Sequence, residues 1–159
     1  MSLLDLWKRS PLRTELRALY DEVDALLAPY SCDSSTECCR FGVTGREPYV
    51  TPAEVAELTV AIRAHGGLKK PKRLPIHVDA KERRCALLDD EGRCSVYASR
   101  PFGCRTFFCD RIVGPKKFPR SEVQRLARAI ADLSARHAPR APYARPLTRV
   151  LPEIRETKR

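Results

Sequence analysis

The amino-acid sequence predicts a small α+β domain with a short β-hairpin, cysteine-bearing loops and about three helices. In three separate stretches, apolar residues recur at spacings of three and four, as on one face of a helix. Near the middle of the chain, two short strand-forming segments flank turn residues. The seven cysteines lie outside the helical stretches. With 159 residues and 13 prolines, the chain fits one domain with a core of modest size.

The helices are predicted by apolar periodicity and by signals at their ends. The first extends from Pro11 to about Ala28 and begins after Ser10, a suitable N-cap. The second extends from Thr51 to about Ala64, and its Thr-Pro-Ala-Glu start is a capping box. The third extends from Pro119 to about Ala138, with Ser121 as its predicted cap. We expect the first helix to pack on the core and to carry no chemistry of its own.

The chain divides into three predicted segments. Residues 1–30 form an N-terminal packing helix, residues 31–138 a cysteine-bearing domain that ends in the third helix, and residues 139–159 a basic, proline-rich tail. Because four prolines interrupt the tail, we expect it to be extended and partly disordered. Part of it could still dock through four apolar residues: Leu147, Val150, Leu151 and Ile154.

Two cysteines flank the predicted hairpin. The segments around Cys85 and Cys94 are rich in strand formers, and Asp89 to Gly92 between them is typical of a turn. Folding around that turn would place Cys85 roughly opposite Cys94, and opposed residues on one face have Cβ atoms about 4.5 to 5.5 Å apart. Both sulfurs could then reach one zinc ion at about 2.3 Å each, or one metal cluster.

The other cysteines lie in loops before and after this hairpin. Gly103 would let the chain reverse sharply and bring Cys104 beside the hairpin. We therefore predict one metal-thiolate site, which would also stabilise a domain with little core. The candidate ligands are Cys32, Cys38, Cys39, Cys85, Cys94, Cys104 and Cys109. Three arginines next to or near them would offset the negative charge of the thiolates: Arg40, Arg100 and Arg105.

Other uses of the cysteines fit the sequence less well. The chain has no apolar run of signal-peptide or membrane-span length, so we expect a cytoplasmic protein with no membrane segment. In that reducing compartment, an odd number of cysteines, two of them adjacent, favours metal ligands over disulfides. No histidine is evidently related to a cysteine, which disfavours a cysteine-nucleophile enzyme. His77 is a candidate for a mixed metal site, although an ordinary hydrogen-bonded histidine explains it more simply.

The formal charge of +10 permits contact with an acidic protein or with nucleic acid. The basic run at residues 69–73 is typical of a solvated loop. Aromatic residues make up only 7% of the chain, and so few rings for base stacking make nucleic acid the less favoured partner. The sequence is compatible both with an enzyme and with a binding protein.

The cysteine blocks follow a specific order along the chain. In that order they are Cys38-Cys39, Cys85-Ala86-Leu87-Leu88, Cys94-Ser95-Val96-Tyr97, Arg100-Pro101 and Cys104-Arg105-Thr106-Phe107. This order resembles the YkgJ-type cysteine-cluster family, whose members are zinc- or iron-chelating domains. One departure concerns Ser35, which stands where that family has a cysteine. Either Cys109 replaces the missing thiolate, or the site has fewer sulfur ligands, or this chain keeps the scaffold without the metal.

The resemblance implies a protein that binds zinc or iron, and an iron–sulfur cluster is among the centres that it allows. The pathway is not implied. Two alternatives use the same sulfurs differently: an iron–sulfur enzyme or electron-transfer component, and a nucleic-acid-binding adaptor stabilised by metal.

Overall fold

Seven α-helical segments and one two-stranded antiparallel sheet make up the part of the chain that this computed structural model describes, residues 2–32, 36–68, 83–107 and 112–156. The predicted α+β class is confirmed. The helices are α1 (Leu3–Lys8), α2 (Pro11–Leu27), α3 (Phe41–Thr44), α4 (Pro52–Ala64), α5 (Phe102–Arg105), α6 (Arg120–His137) and α7 (Leu147–Glu156). The strands are β1 (Tyr49–Val50) and β2 (Arg145–Pro146). No helix in the described ranges is both long enough and apolar enough to span a membrane.

The three predicted helices are α2, α4 and α6, and the count of about three omitted four short ones. Ser10 Oγ caps α2 by accepting from Leu12 N at 3.2 Å. The predicted capping box of α4 forms, with Thr51 N donating to Glu54 Oε2 at 2.9 Å. The predicted cap of α6 is wrong, because Ser121 lies inside the helix and its hydroxyl bonds to the Glu122 side chain at 2.7 Å.

The long helices pack on one another through their apolar faces. Leu16 and Tyr20 of α2 meet Ile130 and Leu133 of α6 in one buried cluster, and Trp7 of α1 joins it. A carboxylate lies within this helical half: Glu57 of α4 is 1% exposed and accepts hydrogen bonds from α1 and α2. The long helices α2, α4 and α6 thereby form the scaffold on which the cysteine-bearing segments pack.

The sheet joins segments that are distant in sequence. Tyr49 of β1 is opposite Pro146 of β2, and Val50 is opposite Arg145. The predicted hairpin between Cys85 and Cys94 is reduced to a tight turn with a single antiparallel bridge. That bridge pairs Cys94 with Leu88 rather than with Cys85, so the predicted register is wrong.

The last described segment is not extended. Its apolar residues are spaced three, four and seven apart, so they share one helical face, and α7 buries all four: Leu147, Val150, Leu151 and Ile154. They join the cluster that contains Phe41, Leu58 and Cys85. Thr148 N also donates to Glu47 Oε1 at 2.7 Å. Residues 147–156 therefore dock through their apolar residues, which was the alternative to an extended tail. Helix α7 helps to cover the cysteine-bearing half of the molecule.

Candidate metal centre

Six cysteines line one cavity of about 860 Å³. They reach it from four segments: the chain just after α2, the turn before α3, the chain between α4 and α5, and α5 itself. The six are Cys32, Cys38, Cys39, Cys85, Cys94 and Cys104. Cys109, His77 and the basic run at residues 69–73 lie outside the described residues. Cys32 is exposed, whereas Cys85 is buried at 7% exposure and the other four are partly buried.

A 3₁₀ turn, Glu37–Cys39, holds the adjacent pair Cys38 and Cys39. Thr36 enters it with φ of 58°, a left-handed conformation that turns the chain sharply. The two sulfurs are 3.9 Å apart. Two thiolates bound to one tetrahedral zinc ion at about 2.3 Å each would be about 3.8 Å apart. Adjacent cysteines in this turn therefore have the separation that a shared metal ion requires.

Cys85 is held against this turn by backbone pairing. Its N–H donates to the Cys39 carbonyl at 2.8 Å, and an isolated bridge pairs Arg40 with Arg84. The chain then turns at Asp89, whose Oδ1 accepts from Arg93 N at 2.8 Å. This turn returns Cys94 to the cavity wall. Cys85 and Cys94 thus line the same cavity, although they do not face each other across a hairpin.

Helix α5 carries Cys104 into the cavity wall. The helix is anchored at its start, where Phe102 N donates to Glu54 Oε1 at 2.7 Å. Gly103 is part of the helix and does not produce the sharp reversal that the sequence suggested. Gly103 instead lets α5 pack closely against Pro48, because an added Cβ would lie 3.0 Å from Pro48 Cβ.

Gly103→Ala should destabilise the protein by about 1 kcal/mol, because overpacking costs about 1 to 3 kcal/mol while alanine recovers part of this through helix propensity. Pro48 is a rigid ring, so the backbone of α5 rather than the proline should shift. Chemical denaturation measures the change. An unchanged or higher free energy of unfolding would show that α5 has free space beside Pro48.

The ionisation of these thiols shows that the sulfurs influence one another. The hydrogen bond from Cys39, helped by the nearby charge of Arg100, lowers the pKa of Cys38 to about 7. The same bond, then burial and the repulsion of Cys38, Cys85 and Cys104, raises the pKa of Cys39.

Burial raises the pKa of the other cavity thiols. Burial, with repulsion from Cys94 and Cys38, raises the pKa of Cys85 to about 12. Burial also raises the pKa values of Cys94 and Cys104. Five sulfurs thus lie within electrostatic reach of one another, and a metal ion would displace their protons on binding.

The three candidate charge-compensating arginines are placed differently. Arg105 is buried and donates to two carbonyls, Arg100 O at 2.8 Å and Ala98 O at 2.7 Å, and it also pairs with Asp24. Arg100 lines the cavity and its charge acts on Cys38 and Cys94. Arg40 contributes its backbone to the bridge with Arg84.

The donor set fits zinc or iron, because thiolates are preferred ligands of both zinc and iron–sulfur centres. Within the described ranges, no three His, Cys, Asp or Glu side chains are grouped as tightly as metal ligands. The Cys38–Cys39 pair already has a ligand-like separation. The other sulfurs line the same cavity, and their charges affect one another's pKa values.

Two acidic residues near the site were not predicted as part of it. The sequence predicts Glu54 only as part of a helix cap, yet its side chain is buried, at 2% exposure, and also accepts a hydrogen bond from Phe102 N. Asp24 lies on α2 and pairs with Arg105. A capping glutamate can be predicted from the local sequence. The hydrogen bond from Phe102 N joins residues 48 positions apart, so no local pattern predicts it.

Comparison with known proteins agrees with this donor set. No curated protein and no solved structure matches the chain significantly. One family model does match, over residues 31–125: the CxxCxxCC family, described as a "putative zinc- or iron-chelating domain". The matched range contains all seven cysteines and spans more than half of the 159 residues. The resemblance drawn from the cysteine blocks is thereby confirmed, and the chain belongs to the CxxCxxCC family of zinc- or iron-chelating domains.

Proposed function

We propose that this protein binds one zinc or iron centre through Cys38, Cys39, Cys85, Cys94 and Cys104. The observation that carries the proposal is the shared cavity, whose wall these five cysteines reach from three separate segments. Thiolates so close together repel one another, and a cation between them relieves that repulsion. Cys32 also lines the cavity and is a further candidate ligand, as is Cys109.

Metal analysis of anaerobically purified protein tests this proposal. We expect one zinc or iron centre per chain, and we expect the metal to be lost when Cys39 or Cys104 is replaced by serine. Serine is the matched change because it keeps the size of the side chain and removes the soft sulfur donor. A wild-type chain that neither retains nor takes up zinc or ferrous iron would contradict the proposal.

An iron–sulfur cluster is the second candidate, and the number of sulfurs favours it. A structural zinc ion takes four ligands, whereas six cysteines line this cavity. The cavity of about 860 Å³ also has room for a centre larger than a single ion. A cluster would make an electron-transfer or enzymatic role available. Brown protein with broad visible absorption, bleached by dithionite, supports the cluster, whereas colourless protein with bound zinc excludes it.

The thiols bear on the cell compartment, and the net charge bears on the partner. Free thiolates persist where thiols are kept reduced, so we propose a cytoplasmic location. The charge of +10 suits an acidic protein partner better than nucleic acid, because few aromatic rings are available for base stacking.

A further inference from the structure

Arg100 and Arg105 both line the cavity, and one donor of Arg100 is buried without a hydrogen-bond partner among the described residues. Arg105 donates through three nitrogens, to Arg100 O, Ala98 O and the Asp24 carboxylate. Its guanidinium also lies 4.1 Å from the centre of the Tyr20 ring. Arg105 therefore joins α5 to α2, and each of its three nitrogens already donates within the protein.

Arg100 is held in place but is incompletely bonded. Its guanidinium lies 4.0 Å from the centre of the Tyr97 ring, and Nη2 is 3.8 Å from Asp24 Oδ1. The Nε–H group is buried and has no hydrogen-bond partner among the described residues. A buried donor without an acceptor is unfavourable and rare in folded proteins, and a bound water or ion is one recognised explanation for such a group.

The cavity that Arg100 lines also holds the cysteine sulfurs. Asp24 pairs with Arg105 through Oδ2 and with Arg100 Nη2 through Oδ1, and it does not accept a hydrogen bond from Arg100 Nε. Arg100, Cys38 and Cys94 line the same cavity, and the positive charge of Arg100 acts to lower the pKa of both thiols. A neutral thiol is a weak acceptor, whereas a sulfur bound to a metal carries negative charge and accepts readily. Metal binding would thus supply the acceptor that Nε lacks.

We propose that Arg100 is the positioning residue of the metal centre, and that its Nε–H donates to the sulfur of Cys38 or Cys94 when that sulfur binds the metal. This inference rests on the proposed metal-binding function. It assigns to Arg100 a hydrogen bond that helps to offset the charge of about −2 that a four-thiolate zinc or cluster site carries. Groups that bond to metal ligands in this way typically change metal affinity by about 10- to 100-fold.

Cobalt(II) titration of wild type, Arg100→Gln and Arg100→Lys tests the inference. Cobalt gives a sulfur-to-metal charge-transfer band, and competition with a chelator gives its Kd. We expect Arg100→Gln to weaken cobalt binding about 10- to 100-fold and Arg100→Lys to weaken it less, because lysine keeps the charge. The charge-transfer band of Arg100→Gln should move to longer wavelength, because a sulfur without a hydrogen bond gives up electron density more easily.

Arg128→Gln is the matched control, since it removes one positive charge from an exposed position on α6. It should leave the cobalt Kd and the band unchanged. Wild-type affinity and an unshifted band in Arg100→Gln would overturn the inference. A weaker Kd in Arg100→Gln with an unshifted band, matched by an equal loss of thermal stability without metal, would assign Arg100 a structural role and also overturn it. If wild type binds no cobalt, zinc or iron, the proposed function fails instead.

Discussion

Cys85→Ser should leave the protein unable to bind zinc tightly and should remove most of the stability that the metal provides. Cys85 is 7% exposed and its N–H is bonded to Cys39 O, so its sulfur cannot be replaced by a neighbouring ligand without moving the backbone. Binding free energy at a structural zinc site is folding free energy, on the order of 10 kcal/mol. We expect the thermal midpoint of wild type to fall sharply on chelation and that of Cys85→Ser to respond little.

Thermal unfolding with and without a chelator, on wild type and both single variants, measures this prediction. Cys32→Ser is the comparison variant, because Cys32 also lines the cavity but is exposed. It should keep most of the metal-dependent shift in midpoint. The prediction is wrong if metal-free wild type unfolds at the same temperature as the metal-bound form, or if Cys85→Ser retains the full shift.

Glu57→Gln should destabilise the helical half of the molecule by about 3 kcal/mol, the lower end of the range for breaking a buried ion pair. The Glu57 carboxylate is 1% exposed and accepts from Arg13 Nε at 2.7 Å, Arg17 Nη1 at 2.7 Å and Trp7 Nε1 at 3.2 Å. A neutral amide would leave two guanidinium groups without their charge partner and would turn N–H groups toward them. The cost stays at the lower end because Arg13 and Arg17 are partly exposed and can be hydrated.

Glu22→Gln is the matched control for this substitution. Its ion pair with Arg125 lies at the surface, with side chains 49% and 58% exposed. Exposed pairs contribute about 0 to 1 kcal/mol, so the control should change the free energy of unfolding very little. Equal effects of the two substitutions in urea denaturation would contradict the role assigned to Glu57.

Protonation of the Glu57 carboxylate at low pH should also destabilise the protein. Burial alone would raise the pKa of Glu57, but hydrogen bonds and charge from Arg13, Trp7 and Arg17 outweigh it and lower the pKa below its usual value. A lowered pKa in the folded state gives stability that is fully present above the unfolded value, about 4.3, and is lost as the pH falls through the folded value. The thermal midpoint of wild type should therefore fall below about pH 4 more steeply than that of Glu57→Gln.

The long helices could be predicted because their signals are local. The capping box at Thr51 and Glu54 and the apolar spacing of α2 both act within one element. Helix α7 has equally regular apolar spacing, but Pro152 made the segment look like an interrupted tail. Its burial against Phe41 and Leu58 outweighs the effect of that proline on the helix.

The cavity cysteines could also be proposed from sequence, but not the way in which the chain brings them together. Cys85 lies beside Cys39 through backbone bonds between segments more than forty residues apart, and spacing gives no sign of that pairing. The register at Cys94 differs because the Asp89 side chain accepts from two backbone N–H groups and tightens the turn. A short turn of this kind leaves Cys85 outside the bridge.

Glu54 gives the cysteine half and the helical half a common anchor. One of its oxygens accepts from Tyr20 on α2 at 3.2 Å and from Phe102 N at the start of α5 at 2.7 Å. Any strain that shifts Cys104 must therefore stretch a bond to an oxygen that also restrains Tyr20. Binding or release of a metal at the sulfurs should consequently change the rigidity of α2. Trp7 lies in the same apolar cluster as Tyr20 of α2. The fluorescence of its indole ring should therefore report whether the sulfurs hold a metal.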